Sequence, residues 1–235
     1  MQRGECLAAI AGASDASLCG LVLGSYRNAG ALAETDPPET ACRPFDRRRR
    51  GFIVGEGAAA LVLERLDHAR SRGATVYGVL AACALGSEAY HTMRPCPTGE
   101  PLERVLRLAL QRAGLAPEHV GFVHAHAAGT RLGDASEAAA LGRVFGSRAP
   151  VASTKGHTGH LLGAASAVAT AFLFLALRGK MLPATRNLER PDKDDALDHV
   201  MASPRAVSGP GALAAAGFGG HLAALIALPE DAACP

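Results

Sequence analysis

The sequence has no tryptophan, and aromatic residues make up only 4% of its 235 positions although 49% are hydrophobic. A core built on stacked rings is thereby excluded. With 27 glycines and abundant alanine, packing must come from aliphatic side chains and close backbone approach. Charge of either sign is not in excess: a net +2 sets up no field that would mark nucleic acid or anionic lipid as a partner. The six cysteines, Cys6, Cys19, Cys42, Cys83, Cys96 and Cys234, form no CxxC pair and no disulfide-scaffold spacing. Met1 is not followed by a secretory apolar segment, so the expectation is a reducing, cytoplasmic setting. No membrane span is expected. The uncharged run Leu161 to Leu177 falls short of the roughly 20 apolar residues required and is broken by Gly163, Ser166 and Thr170. It reads as a buried helix closed by Arg178-Gly179-Lys180, with Pro183 beyond.

What is present is an alternation of strand-like and helix-like segments, in a chain long enough for one large or two small domains. CLAAIAGAS reads as a buried strand, SLCGLVLGSYRNAGAL as loop or helix, and ETDPPETACRPFDRRRRG as a polar connection whose basic run Arg47 to Arg50 is solvated. GFIVGEGAAALVLERL suggests a strand pair joined through Gly55 and Gly57, and LDHARSRGA a short helix stopped by Gly73. TVYGVLAACALG reads as a strand, and EAYHTMRPCPTGEP as a proline-bearing loop. In PLERVLRLALQRAGL, Leu102, Val105, Leu106, Ala109, Leu110 and Ala113 mark one helical face, with Pro101 opening the helix and Gly114 ending it. HVGFVHAHAAG has the alternation of a strand, and Asp134-Ala135-Ser136-Glu137 reads as a capping box opening the helix ASEAAALGRVFG. ALAAAGFGGHLAALIAL reads as two buried strands joined by a glycine turn around Phe218, and DAACP as a frayed tail. This order predicts an α/β domain with a covered sheet.

Two histidine pairs carry the chemistry. His124 and His126 are two apart on a predicted strand, so they share a face at its C-terminal end, where open α/β sheets place sites. The competing reading is core or rim histidines satisfied by backbone groups. His157 and His160 precede the buried helix, where the dipole and free N–H groups favour a developing oxyanion, and Lys155 adds a full charge. Lys155 is otherwise an ordinary solvated lysine. The same four histidines allow a zinc reading, but no HExxH occurs, no cysteine stands at ligand spacing, and Asp134 and Glu137 are accounted for as a cap. Neither metal nor cofactor is therefore expected. GFGG at 217–220 lacks the GxGxxG spacing of a dinucleotide site and suits a tight turn carrying Phe218 and backbone N–H groups into a site.

Five segments, CRPFDRRRRGFIVGEGAAALVLE, HAHAAGTRLGDASE, STKGHTGHLLGAAS, LPATRNLERPD and AAAGFGGHLAALIAL, resemble in this order the β-ketoacyl-acyl-carrier-protein synthases of fatty acid and polyketide synthesis, in the thiolase-like superfamily. The resemblance implies a thiolase-like layered α/β fold, with residues 1–75 ending the N-terminal half and residues 76–235 forming the C-terminal half. It implies that His126 and His160 are the catalytic histidines, Lys155 the site lysine and Phe218 the gating phenylalanine, with Gly217, Gly219 and Thr130 at the substrate site. The partners implied are an acyl-carrier protein bearing acyl or malonyl thioesters and a second ketosynthase subunit, in a homo- or heterodimer.

The departures define a second expectation. The family carries an acyl-accepting cysteine on a nucleophile elbow in its N-terminal half, and this chain begins after that element; none of its six cysteines has elbow context, Cys6 lying near AGASD where the family reads AGG.E. His124 and Ala127-Ala128 stand where the family has Asn and Gly-Thr, Arg50 replaces a frequent aspartate, and His221-Leu222 a polar pair. Ala169 replaces a glutamate that would engage Lys155, which is then expected to be less well positioned. Two roles follow: a synthase whose cysteine is supplied elsewhere or lost, or a non-catalytic partner resembling a chain-length factor. Uncovered sheet edges and apolar surface, with obligatory association or poor solubility, are expected of either.

Overall fold

In the computed structural model, which describes residues 1, 4–33 and 37–233, the apolar segments separate into a small N-terminal sheet and a larger C-terminal one. Residues 34–36 of the proline-bearing connection and Cys234 in the tail lie outside the described residues. The first part contains β1 (Ala8–Asp15), α1 (Gly20–Asn28), α2 (Pro38–Ala41), β2 (Gly57–Glu64) and α3 (Leu66–Ser71). β1 and β2 pair antiparallel, from Ala8 opposite Glu64 to Asp15 opposite Gly57. The expectation that β1 is buried fails: Ile10 is 79% exposed and its cross-strand partner Val62 69%. β1 has one strand neighbour, and the face bearing these two side chains is covered by nothing among the described residues. The predicted strand pair around Gly55 is also corrected, because only β2 forms. Residues 51–55 instead thread between two other segments, with Phe52 bridging Leu32 and Val54 bridging His160. Gly55 makes this possible, since a Cβ there would lie 2.4 Å from the Thr158 carbonyl oxygen.

The second part continues with β3 (Val79–Ser87), α4 (Glu100–Arg112), β4 (Phe122–His124), α5 (Arg131–Phe145), β5 (Pro150–Ala152), α6 (Lys155–Thr158) and α7 (Ala165–Gly179). After these come β6 (Met181–Leu182), β7 (Asp198–His199), β8 (Arg205–Ala206), β9 (Gly211–Gly217) and β10 (His221–Leu228). Six strands form a mixed sheet in the order β3-β10-β9-β4-β5-β7, antiparallel at the β3, β10, β9 end and parallel from β9 to β7. α4 buries the expected stripe of Leu102, Val105, Leu106, Ala109 and Leu110 in a core shared with Leu141, Phe145 and Ile226. On the other side of the sheet α7 packs Leu173, Phe174 and Leu177 against Phe122, Leu182 and Leu213, and it also touches β1 and β2. The stretch Leu162–Gly179 is long and apolar enough in composition to cross a membrane. Here it forms the layer between the two sheets, a helix as read from the sequence but buried along only part of its surface, with Leu175 exposed.

The basic run is solvated as expected at Arg47 and Arg50, which are exposed, but not at Arg49, which is buried. Asp46, fully buried, accepts hydrogen bonds from Arg48 Nε and from the backbone N–H groups of Arg48, Glu189 and Arg190, each at 2.9 Å. Burial pushes its carboxyl up, but these donors outweigh that and hold it at about 2. Arg49 is buried too, pairing with Asp192 at 2.7 Å and donating to the carbonyls of Thr130 and Arg131. The segment thus clamps the N-terminal part to the 189–192 loop and to the head of α5.

Candidate active site

Parallel strands that lie side by side bring the loops after their C-terminal ends together. β4 ends at His124 and β5 at Ala152, and the loops that follow line a cavity of about 810 Å3 with Tyr26, Phe52, His126, Thr130, His160 and Phe218 on its walls.

The expectation that His124 and His126 share one strand face is corrected. The strand stops at His124, which is buried, shares a hydrogen bond with Thr154 Oγ1 at 3.2 Å and lies flat to Phe172. Burial, followed by the Lys155 charge, pushes this imidazole down to about 3. His126 leaves the strand and faces His160 instead, with ring centroids 5.3 Å apart at 74°.

The turn after His126 is held by α5. Thr130 caps this helix, its hydroxyl accepting the Gly133 N–H at 3.2 Å, so the predicted capping box is replaced by a cap four residues earlier than Asp134. Thr130 does line the cavity, but that hydroxyl is engaged in the cap. Asp134 and Glu137 lie inside the helix, both buried. Glu137 accepts the N–H groups of His126 and Ala127 at 2.7 Å each, and Asp134 those of Phe45 at 2.8 Å and Gly129 at 3.0 Å. Four loop N–H groups are thereby aimed inward at two carboxylates, and Ala127 is drawn to a positive φ of 30°. The signal for this was present: Asp134, Glu137, Leu141 and Val144 recur at helical spacing, placing both acids on the buried face.

Lys155 opens the short α6, is 5% exposed, and donates through Nζ to the His126 carbonyl oxygen. With alanine at 169, the carbonyl of His126 and the charges of Glu137 and Asp134 are what hold this lysine. Burial pushes the lysine down and the carboxyls of Glu137 and Asp134 up, to about 7 and about 6; the lysine and the two carboxylates oppose one another's shifts, whereas the Asp134 charge raises Glu137 further.

His160 sits in an irregular loop five residues ahead of α7, not in its first turn. Its N–H donates to the Ile53 carbonyl at 2.7 Å, and the Gly55 N–H returns to its own carbonyl at 3.0 Å. The ring nitrogen Nδ1 accepts the Leu162 N–H at 3.0 Å. In a neutral ring the proton is then on Nε2, a donor. Burial, then the Lys155 charge, pushes His160 down to about 3, and the same two causes with the His160 charge push His126 well below its usual range. Two neutral imidazoles with a cation behind them can stabilise negative charge on a carbonyl oxygen placed between them. His157 stands apart, donating from Nε2 to the Ala184 carbonyl at 2.9 Å. Phe218 and Gly217 line the cavity, but Gly219 does not: its N–H is taken by the Thr92 carbonyl.

Comparison with known proteins identifies the family and the fold. A family model described as Beta-ketoacyl synthase, N-terminal domain, matches residues 1–69, and one described as Beta-ketoacyl synthase, C-terminal domain, matches residues 77–189. The chain is 42% identical over 197 residues to a 3-oxoacyl-[acyl-carrier-protein] synthase 2 of Coxiella burnetii, covering 82% of this chain and 48% of that protein. It resembles the structure of a type II polyketide synthase acyl-carrier protein in complex with its ketosynthase bound to the hexaketide, with a TM-score of 0.92, 32% identity, and 96% of this chain and 57% of that chain covered. It also resembles the ishigamide ketosynthase/chain length factor, with a TM-score of 0.89, 33% identity and coverages of 97% and 55%. The chain spans about half the length of the curated relatives it matches. Matched along both parts and alike in fold throughout, it belongs to the β-ketoacyl synthase family of the thiolase-like superfamily.

Proposed function

We propose that this chain supplies the enolate-stabilising part of a β-ketoacyl-acyl-carrier-protein synthase, working in the cytoplasm on thioesters delivered by an acyl-carrier protein. A malonyl thioester bound in the cavity breaks its bond to the carboxylate carbon, CO2 leaves, and the electron pair passes through the α-carbon to the thioester oxygen. His126 and His160 donate to that oxygen as it becomes negative; one such donor is worth about 10²–10³ in rate. Lys155 fixes the carbonyl of the His126 turn and favours the anionic species. The observation that carries the reading is the pair of facing imidazoles, 5.3 Å apart, on one cavity wall. Condensation then needs an acyl group on a cysteine, from which the thiolate is displaced as the enolate carbon attacks. None of the five described cysteines lines the cavity, and burial pushes the Cys42 thiol up to about 11. The nucleophile is therefore assigned to a segment outside this sequence.

The test is to express the chain with a fragment carrying an elbow cysteine and to measure CO2 release and ketoacyl product from malonyl- and acyl-carrier protein. The expected result is product formation lost in His160→Ala; a pair that neither associates nor reacts overturns the reading. A second reading, a chain-length-factor-like subunit shaping the product of an active synthase, is favoured by the exposed apolar face of Ile10 and Val62 and by the likeness to a ketosynthase/chain length factor. It requires copurification with a full-length synthase and a product profile that does not change with His126→Ala or His160→Ala.

A further inference from the structure

Both site imidazoles sit on irregular turns, so the backbone that carries each ring needs an anchor of its own. For His126 that anchor is Glu137, whose oxygens take the N–H groups of His126 and Ala127. The turn of His160 is held differently. The ring's own Nδ1 takes the Leu162 N–H at 3.0 Å, and the next N–H, that of Gly163, donates to Asp15 Oδ2 at 3.1 Å. Leu162, between them, stands at a positive φ of 45°, a left-handed conformation that a side chain disfavours. Such a turn persists only when its surroundings hold it.

Asp15 is the last residue of β1, in the N-terminal part, and β1 packs along the 162–164 turn. The stretch AGASD thus reaches the site through Asp15 and not through Cys6, which is exposed. The Ser17 hydroxyl, then the Gly163 N–H, hold the Asp15 carboxyl below the usual carboxylate range, so at neutral pH it is an anion and only accepts. It does not line the cavity. Its charge opposes that of Lys155 at His160, and a negative charge beside a developing oxyanion would slow the reaction. What Asp15 offers the site is therefore its hydrogen bond. Holding the 162–163 peptide in one orientation keeps Leu162 in its strained φ, and that φ aims the Leu162 N–H at Nδ1.

We infer that Asp15 is a positioning residue for His160: by holding the Gly163 N–H it keeps the Leu162 N–H on Nδ1, so that the ring presents its Nε2 proton to the cavity. The inference rests on the enolate-stabilising reading above, and the experiment separates the two. The tautomer is read by nuclear magnetic resonance on the chain isotope-labelled at the histidine nitrogens, with the His160 signals identified by their loss in His160→Gln. The parent is expected to show Nδ1 as a pure acceptor and Nε2 as protonated. In Asp15→Ala the two nitrogen signals are expected to move toward each other as the ring averages over both tautomers. Asp15→Asn, which keeps an acceptor oxygen and loses the charge, is expected to match the parent. Activity is read as CO2 release from malonyl-carrier protein by the chain expressed with a fragment carrying an elbow cysteine. There kcat is expected to fall about three- to thirtyfold in Asp15→Ala with KM kept, less than the ~10²–10³ for loss of a whole donor, and Asp15→Asn is expected to restore it. A parent-like His160 spectrum in Asp15→Ala overturns the inference, as does a moved spectrum with an undiminished kcat. An Asp15→Asn that behaves as Asp15→Ala overturns it too, because the charge and not the acceptor would then matter. If the spectra move as expected but no form, the parent included, releases CO2, the enolate-stabilising reading fails while the hold of Asp15 on the His160 ring stands. Should Asp15→Ala fail to fold, Asp15→Ser, whose hydroxyl is too short to reach Gly163, replaces it with the same expected results.

Discussion

β1, AAIAGASD, and β9, GALAAAG, are built from nearly the same small apolar residues, yet Gly211 to Ala215 of β9 are buried while Ile10 of β1 is 79% exposed. β9 lies between β4 and β10 and has α7 on one face and the α4–α5 core on the other. Among the described residues β1 pairs only with β2, and one of its faces is open. Composition sets what a strand tolerates; neighbours set what it buries. A strand apolar on both faces is suited to cover on both, so the open face of β1 is the place to look for an associating segment.

The largest contrast expected is between the two strands themselves. Leu213→Ala, at a site with no exposure, should cost about 4 kcal/mol through lost burial and a residual cavity. Ile10→Ala should fall within about 0.5 kcal/mol, both read from urea midpoints. If Ile10→Ala proves as costly, β1 is covered in solution and the contrast breaks. Lys155→Met leaves Glu137 buried without its cation, while Asp134 keeps Arg49 at 3.9 Å, and about 3 kcal/mol of stability should be lost. Adding Glu137→Gln should restore part of it, since one uncompensated carboxylate is then neutral.

The site should also respond to acid in a way the open sheet does not. His160 is held at about 3 against an ordinary 6.5, so below about pH 6.5 the unfolded chain binds a proton that the folded chain refuses. Stability from this group therefore falls as pH drops from 6.5 toward 3 and is unaffected above that window, at up to about 1.4 kcal/mol per pH unit for one proton. Glu137, raised to about 7, has the opposite sign: the folded form retains the proton, and stability falls as pH rises from its ordinary 4.5 toward 7. The comparison of His160→Phe with the parent isolates this group's share of the slope, which should become shallower in the variant while His124 and His126 keep theirs. A stabilising effect is expected at Ala127, at φ of 30°. Ala127→Gly should stabilise by about 1 kcal/mol by relieving a left-handed conformation that a Cβ disfavours, seen as a higher thermal midpoint.

Much of the fold was legible because it is written in local periodicity. The stripe on α4 and the glycine-turned hairpin of β9 and β10 need only neighbouring residues to be read. Local rules failed where a distant segment supplies the partner. Asp134 and Glu137 satisfy the spacing of a cap, but their oxygens accept N–H groups from a preceding loop and from Phe45. Arg49 reads as one of four solvated arginines, but Asp192 and the head of α5 draw it inside. His124 and His126 have the spacing of one strand face, but the strand stops between them.

By itself the sequence determined the kinds of element, the apolar faces of the helices and the family, since motifs and periodicities are properties of contiguous residues. Only the tertiary structure decided that His126 and His160 face one another with Lys155 behind, that His124 and His157 do not join them, and that Asp15 reaches the turn beside His160. The reason is that strand order is not carried by any local pattern. β4 and β5 become neighbours only when the parallel sheet closes, and the loops at their ends meet as a consequence.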